Sequence, residues 1–211
     1  MSFASSPDEN QPRLASPLPL LTYALIGASV VVAFLTRLGV REPILEHLFI
    51  TNFPAAGSDV RLPEVIGGQF WRLLTPIFIH FGVLHLVFNL LWLRDLGSMI
   101  ERLDGVARLL AFVLVSGVLS NLGQLYVDGP FFGGMSGVVY GLLGYVWMRS
   151  RFSPGSGFVL HSQTVLFMLG WFVACVAGVI PNVANTAHGV GLAIGLLWGF
   201  WAAKAKRRSY R

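Results

Sequence analysis

Gly133-Gly134-Met135-Ser136-Gly137-Val138-Val139-Tyr140-Gly141-Leu142-Leu143-Gly144 is a twelve-residue run without a charge, in which one serine stands where a helix should begin. Gly137, Gly141 and Gly144 recur at i, i+4, i+7 and so lie on one helix face. A second stretch answers it. Ala187-His188-Gly189-Val190-Gly191 continues to Gly195 and Gly199, a repeated small-x-x-x-small pattern with His188 just outward of it. Lipid supplies no hydrophobic force between helices, so glycine stripes are what let membrane helices approach closely. If these two stripes pack together, Ser136 and His188 meet at their outer ends.

The surrounding composition is that of a membrane protein. Of 211 residues, 55% are hydrophobic and 12% are charged, with a mean hydropathy of +0.67; soluble domains carry about 25% charged residues. Charge-free intervals run from Arg13 to Arg37, Arg72 to Arg94, Arg108 to Asp128, Asp128 to Arg149 and Arg151 to Lys204. The last is long enough for two spans, broken at Pro181-Asn182-Val183-Ala184-Asn185. About 20 apolar residues cross a bilayer, which predicts an all-α polytopic bundle of six transmembrane helices near 18–37, 77–97, 106–127, 136–149, 161–180 and 186–205. Residues 1–17 read as a polar, Pro-rich tail, 18–205 as one helical domain, and 206–211 as a short basic tail. With an even number of spans, the N-terminus, the connections at 94–108 and 149–151, and the C-terminal tail share a side. They hold eleven of the 15 cations, so the positive-inside rule puts both termini in the cytoplasm. The net charge of +5 and pI near 9.9 follow from that topology and give no reason to expect a nucleic-acid partner. Asp8 and Glu9 precede the first apolar stretch, which argues against a secretory signal. Cys175 is the only cysteine, so no disulfide framework is available.

The connection at 38–76 is the one long loop, and its apolar pieces Ile44–Ile50 and Val65–Trp71 predict a segment lying against the membrane interface. The helix from Ser136 to Met148 is short, about 20 Å at 1.5 Å per residue, so the preceding Asp128–Gly134 must dip into the membrane as irregular backbone. That is tolerated only beside protein or a water-filled cavity. A serine sunk in this way, with access to water, is a candidate nucleophile, and an imidazole in reach is what would activate it at neutral pH. A membrane-helix serine ordinarily bonds back to its own backbone; the glycine surroundings, the helix-start position and the expected meeting with His188 favour the chemical reading. No acidic residue lies near His188 in sequence, so the pair would act without a carboxylate. His85 and Asn89, at i and i+4 on one helix face, could aim two donors at a developing oxyanion together with the Ser136 N–H. The plainer alternative is an interhelical hydrogen-bond pair. His80, placed on the same helix about 140° away, would not chelate with His85. No His-Glu-x-x-His motif occurs, and neither a metal nor a cofactor is expected.

Trp71-Arg72, His85-x-x-x-Asn89, Gly134-x-Ser136-Gly137, Tyr140 and Ala187-His188-x-x-Gly191-x-x-x-Gly195 together resemble the rhomboid family of intramembrane serine proteases, in order and over about residues 18–205. The resemblance implies Ser136 as nucleophile and His188 as general base. It further implies an oxyanion hole of His85, Asn89 and the Ser136 N–H, Tyr140 stacked near His188, and Gly134 and Gly137 as supporting positions. It also implies transmembrane protein substrates entering sideways from the bilayer between the second and fifth helices, with Phe88, Trp171 and Phe172 as a gate. A bacterial inner membrane is the expected location. The rival reading is a non-catalytic membrane chaperone that grips partner helices in the same glycine-rich cleft; grip alone needs no nucleophile. Oligomeric state is not legible.

Overall fold

The computed structural model of the chain describes residues 18–40, 42–52 and 62–209. The expected tail at 1–17 lies outside the described residues, as do positions 210–211 of the basic tail. Every regular element among the described residues is helical. Eight helices follow in order: α1 (Leu20–Leu35), α2 (Glu42–Leu48), α3 (Pro63–Ile66), α4 (Val83–Asp104), α5 (Val106–Asp128), α6 (Ser136–Phe152), α7 (Ser162–Val176) and α8 (Asn185–Ser209). Three are long and apolar enough to cross a membrane: Val83–Asp104, Val106–Asp128 and Asn185–Ala205; α1 and α7 are shorter apolar helices.

α6 is the centre of the bundle. Eleven of its residues are buried, against Val165, Met168 and Cys175 alone in α7. The two glycine stripes face each other along α6 and α8. A Cβ at Gly191 would collide with the Gly137 carbonyl oxygen and one at Gly195 with that of Gly141; at Gly199 it would lie 2.6 Å from the Tyr145 carbonyl. Only glycine permits this approach. Around the seam, Leu93, Leu96 and Ile100 of α4, Leu109, Phe112 and Val113 of α5, and Val138, Leu142 and Val146 of α6 form one buried core.

The structure corrects the expected second helix. It does not begin at 77: Thr75–Phe78 is a separate 3₁₀ turn, Ile79 is extended, His80 belongs to no helix, and α4 starts at Val83 after Gly82 at φ +95°. It then runs through the expected connection, with one π turn at Leu93–Gly97, to Asp104. Gly105 alone reverses the chain, at φ +91°, a left-handed value suited to glycine. Both acids near the end of this extension have partners. Glu101 accepts from the N–H groups of Leu21 and Thr22 at 2.8 Å and from the Thr22 hydroxyl at 2.7 Å, satisfying first-turn donors of α1. Asp104 accepts from the Tyr145 hydroxyl at 2.6 Å and pairs with Arg149, whose guanidinium lies over the Phe158 ring.

The connection between α1 and α4 is folded onto the bundle. Arg72 is buried, donating to the Glu46 and Phe49 carbonyls and to the Gln69 side chain. Glu64 accepts from the Thr51 hydroxyl and the Asn52 N–H. Leu45 and Ile50 are buried, whereas Ile66, Phe70 and Trp71 remain exposed.

Candidate active site

Irregular backbone leads into the site. Gly133 packs so tightly on Ile79 that an added Cβ would lie 2.6 Å from the Ile79 Cβ, and the Gly134 N–H donates to the Pro76 carbonyl at 3.0 Å. Gly134 has φ +128°, and a Cβ there would meet the His85 ring at 2.6 Å from Nε2. Both positions therefore need glycine. Ser136 follows as the first residue of α6, where the backbone N–H groups have no partner within the helix.

Nε2 of His188 lies 2.8 Å from the Ser136 hydroxyl oxygen, and His188 is buried. With the hydroxyl donating, Nε2 accepts and the proton of a neutral imidazole sits on Nδ1. Nδ1 has no hydrogen-bond partner among the described residues. Aromatic faces hold the imidazole instead. The Tyr140 ring lies 4.6 Å away at 34°, and Phe172 lies 6.1 Å away at 59°. The Tyr140 hydroxyl donates to the Met168 carbonyl of α7 at 3.0 Å.

His85 presses against Gly134 beside the serine. Its Nδ1 accepts from the Phe81 N–H at 3.4 Å, which leaves Nε2, the atom nearest Gly134, as the protonated nitrogen. Asn89 is buried but is not aimed wholly at the site: its amide nitrogen donates to the His85 carbonyl at 2.9 Å, leaving one N–H for another acceptor. His80 corrects an expectation. Lying before α4 rather than on it, it sits with its ring 5.1 Å from that of His85 and its Nδ1 3.0 Å from the Phe78 carbonyl. Among the described residues, no group of three or more His, Cys, Asp or Glu side chains is arranged to hold a metal ion.

The expected gate residues sit on the α4–α7 seam. Phe88 and Trp171 are 6.1 Å apart and half-exposed, while Phe172 turns inward to His188 and lies 5.5 Å from Tyr140. A second pair that sequence reasoning missed, Trp92 and Phe167 at 6.3 Å, continues the same seam inward. Also missed were Gln124 and Asp128 of α5, which bond to Ala187 and Thr186 immediately before His188. Their signal was present: Ser116, Ser120, Gln124 and Asp128 form an i+4 polar row on an apolar helix.

Residues 67–205 match the family model of the Rhomboid domain. The chain is 35% identical over 182 residues to the Rhomboid protease GlpG of Pectobacterium atrosepticum, covering 86% of this chain and 62% of that relative. It is 40% identical over 142 residues to the Rhomboid protease GlpG of Yersinia pestis, and equally to that of Yersinia pseudotuberculosis, covering 67% of this chain and 51% of each relative. The chain thus spans about half to three-fifths of the length of these curated relatives.

Proposed function

The chain belongs to the rhomboid family, and on that premise we propose that it is an intramembrane serine endopeptidase cutting transmembrane protein substrates with a Ser136–His188 dyad. The observation that carries the proposal is the 2.8 Å contact between the Ser136 hydroxyl and His188 Nε2 inside an apolar helical bundle. Ser136 Oγ attacks the scissile carbonyl while Nε2 takes its proton. The imidazolium then returns that proton to the leaving amine, and water hydrolyses the acyl-enzyme by the reverse route. The tetrahedral oxyanion is received by the Ser136 N–H, the His85 Nε2–H and the remaining Asn89 N–H. Tyr140 and Phe172 take over the orienting work that a carboxylate does in a triad. The relatives' name, rhomboid protease, supports the same chemistry.

In this reading α1, α4, α5, α6, α7 and α8 are six membrane spans of a bacterial inner-membrane protein with both termini in the cytoplasm. Substrate helices enter from lipid between α4 and α7, past Phe88, Trp171 and Phe172. The test uses pure protein in detergent or nanodiscs with a fluorophosphonate probe and a transmembrane substrate. Wild-type protein is expected to be labelled on Ser136 and to cleave; Ser136→Ala and His188→Ala should fold, resist labelling and leave the substrate intact. Cleavage retained by pure Ser136→Ala would sink the mechanism.

A further inference from the structure

The three residues before His188 are each tied to a neighbouring helix. The Asn185 side-chain amide donates to the Cys175 carbonyl at the end of α7, at 3.2 Å. The Thr186 hydroxyl donates to the Asp128 carboxylate at 2.8 Å, and the Ala187 N–H donates to the Gln124 side-chain oxygen at 3.0 Å. α8 begins at Asn185, so the Ala187 N–H is one of the first-turn donors that no carbonyl of its own helix can reach. Ala184, the residue preceding the helix, carries no side-chain acceptor. Gln124 supplies one from across the interface, and both partners are buried, so bulk water is a poor substitute. Asp128 adds a negative charge at the same helix start, where the backbone dipoles favour it. α5 also presses here by packing: a Cβ at Gly123 would lie 2.9 Å from the Val190 Cγ2.

The glycine seam holds α8 on its α6 side, from the Ala187 carbonyl oxygen, 3.2 Å from a Cβ placed at Gly137, through Gly191 and beyond. Tyr140 and Phe172 hold the imidazole ring, while the first turn of α8 sets where the His188 backbone stands against Ser136, and a helix end left untied on its α5 side frays. We propose that Gln124 and Asp128 are positioning residues for His188, clamping the 185–187 turn so that Nε2 stays within reach of the serine. The proposal rests on the dyad reading above and adds to it two residues that touch neither substrate nor the reacting atoms.

The test compares the full-length enzyme with Gln124→Leu, Gln124→Glu, Asp128→Ala and Asp128→Asn variants. Three quantities are read: the second-order rate of fluorophosphonate labelling, kcat and KM on a transmembrane substrate, and Tm. A displacement of about 1 Å in a reacting group can cost on the order of 10²-fold in rate, so Gln124→Leu should label at least about tenfold more slowly. Its kcat should fall with KM unchanged, in protein still folded at the assay temperature. Gln124→Glu keeps an acceptor for the Ala187 N–H and should recover most of the rate. Asp128→Ala should show a smaller loss that Asp128→Asn restores, because an amide oxygen still accepts from Thr186. Wild-type labelling by Gln124→Leu overturns the proposal. So does equal slowing in Gln124→Leu and Gln124→Glu, or in Asp128→Ala and Asp128→Asn, which would mark those sites as general packing positions. Wild-type protein that fails to label overturns the dyad reading and this proposal together, and is seen before any α5 variant is made.

Discussion

A methyl group placed in the α6–α8 seam measures how much the fold and the site depend on it. At Gly144 an added Cβ would lie 2.8 Å from both the Leu192 carbonyl oxygen and the Leu196 nitrogen. Ordinary contact begins at 3.4 Å, so the deficit is about 0.6 Å, and the obstructing atoms are backbone that cannot rotate away. Overpacking of this kind costs about 1–3 kcal/mol, which for a chain of this size lowers Tm by several degrees, at roughly 2–4 °C per kcal/mol. Gly170 of α7 is the control, since a Cβ there meets nothing within 4 Å. Gly170→Ala should be neutral or gain up to about 1 kcal/mol from helix propensity. The same 0.6 Å, transmitted outward to the 2.8 Å Ser136–His188 contact, would stretch it to about 3.4 Å, outside good hydrogen-bond range. Gly191→Ala, one residue-pair from the serine, should therefore slow fluorophosphonate labelling more than Gly144→Ala does, while both lower Tm. Thermal unfolding in detergent and labelling rates at one temperature read both effects. A Gly144→Ala protein with wild-type Tm, or one less destabilised than Gly170→Ala, refutes the packing argument.

Trp171→Ala and Phe167→Ala each remove half of an aromatic pair worth about 0.5–1.5 kcal/mol beyond its buried area; each should lower Tm and raise cleavage of a transmembrane substrate. Unchanged or reduced cleavage in both would count against substrate entry at the α4–α7 seam. His85→Ala should lose about 10²–10³ in kcat and Asn89→Ala less, because its amide is shared with the His85 carbonyl; equal losses from the two would overturn that ranking. Asp104→Ala leaves Arg149 buried without its carboxylate and should destabilise by about 3–5 kcal/mol, with Asp104→Asn intermediate, as measured by thermal unfolding. At Glu64, burial pushes the carboxyl up, but the Thr51 hydroxyl, the backbone N–H groups and the Arg72 charge outweigh it and hold it below its ordinary value of 4.5. A depressed carboxyl stabilises above its unfolded pKa and loses that stability as pH falls through the folded value. Wild-type Tm should accordingly drop more steeply than that of Glu64→Gln as pH falls below about 4.5, and parallel profiles would show that Glu64 contributes nothing.

The bundle was legible because charge is expensive in lipid, so charge-free intervals record the helices. The same rule misplaced α4. It treated Arg94, Arg102 and the acids between them as the end of a span, although the helix continues to Asp104. Arg94 and Asp95 pair with each other in the open, while Glu101 takes its partners from α1, some 80 residues away in sequence. A rule that counts charges sees ionisable groups and not the distant donors that make them tolerable. The start of α4 failed for a related reason. His80 and Ile79 look like helix from composition, yet Ile79 is needed in extended form under Gly133, and that requirement comes from the far side of the bundle.

The candidate site divides in the same way. Ser136 and His188 could be brought together on paper because close approach leaves a residue-level trace: only glycine fits where two helix backbones touch, and its spacing gives the face. Groups that act by hydrogen bonding to backbone leave no such trace, since any polar side chain of suitable length can do it. Gln124 reaches the Ala187 N–H, Asn121 the Leu73 carbonyl and Tyr140 the Met168 carbonyl, each across at least 28 residues. Direction is lost as well: the i, i+4 spacing of His85 and Asn89 put both on one face, but it equally permits the Asn89 amide to bond back to the His85 carbonyl, which it does. What the sequence did offer for the α5 clamp was the row Ser116, Ser120, Gln124 and Asp128 on an otherwise apolar helix. A polar row in a membrane helix must face protein rather than lipid. Taken together with the break before Asn185, that row points at the helix start it holds.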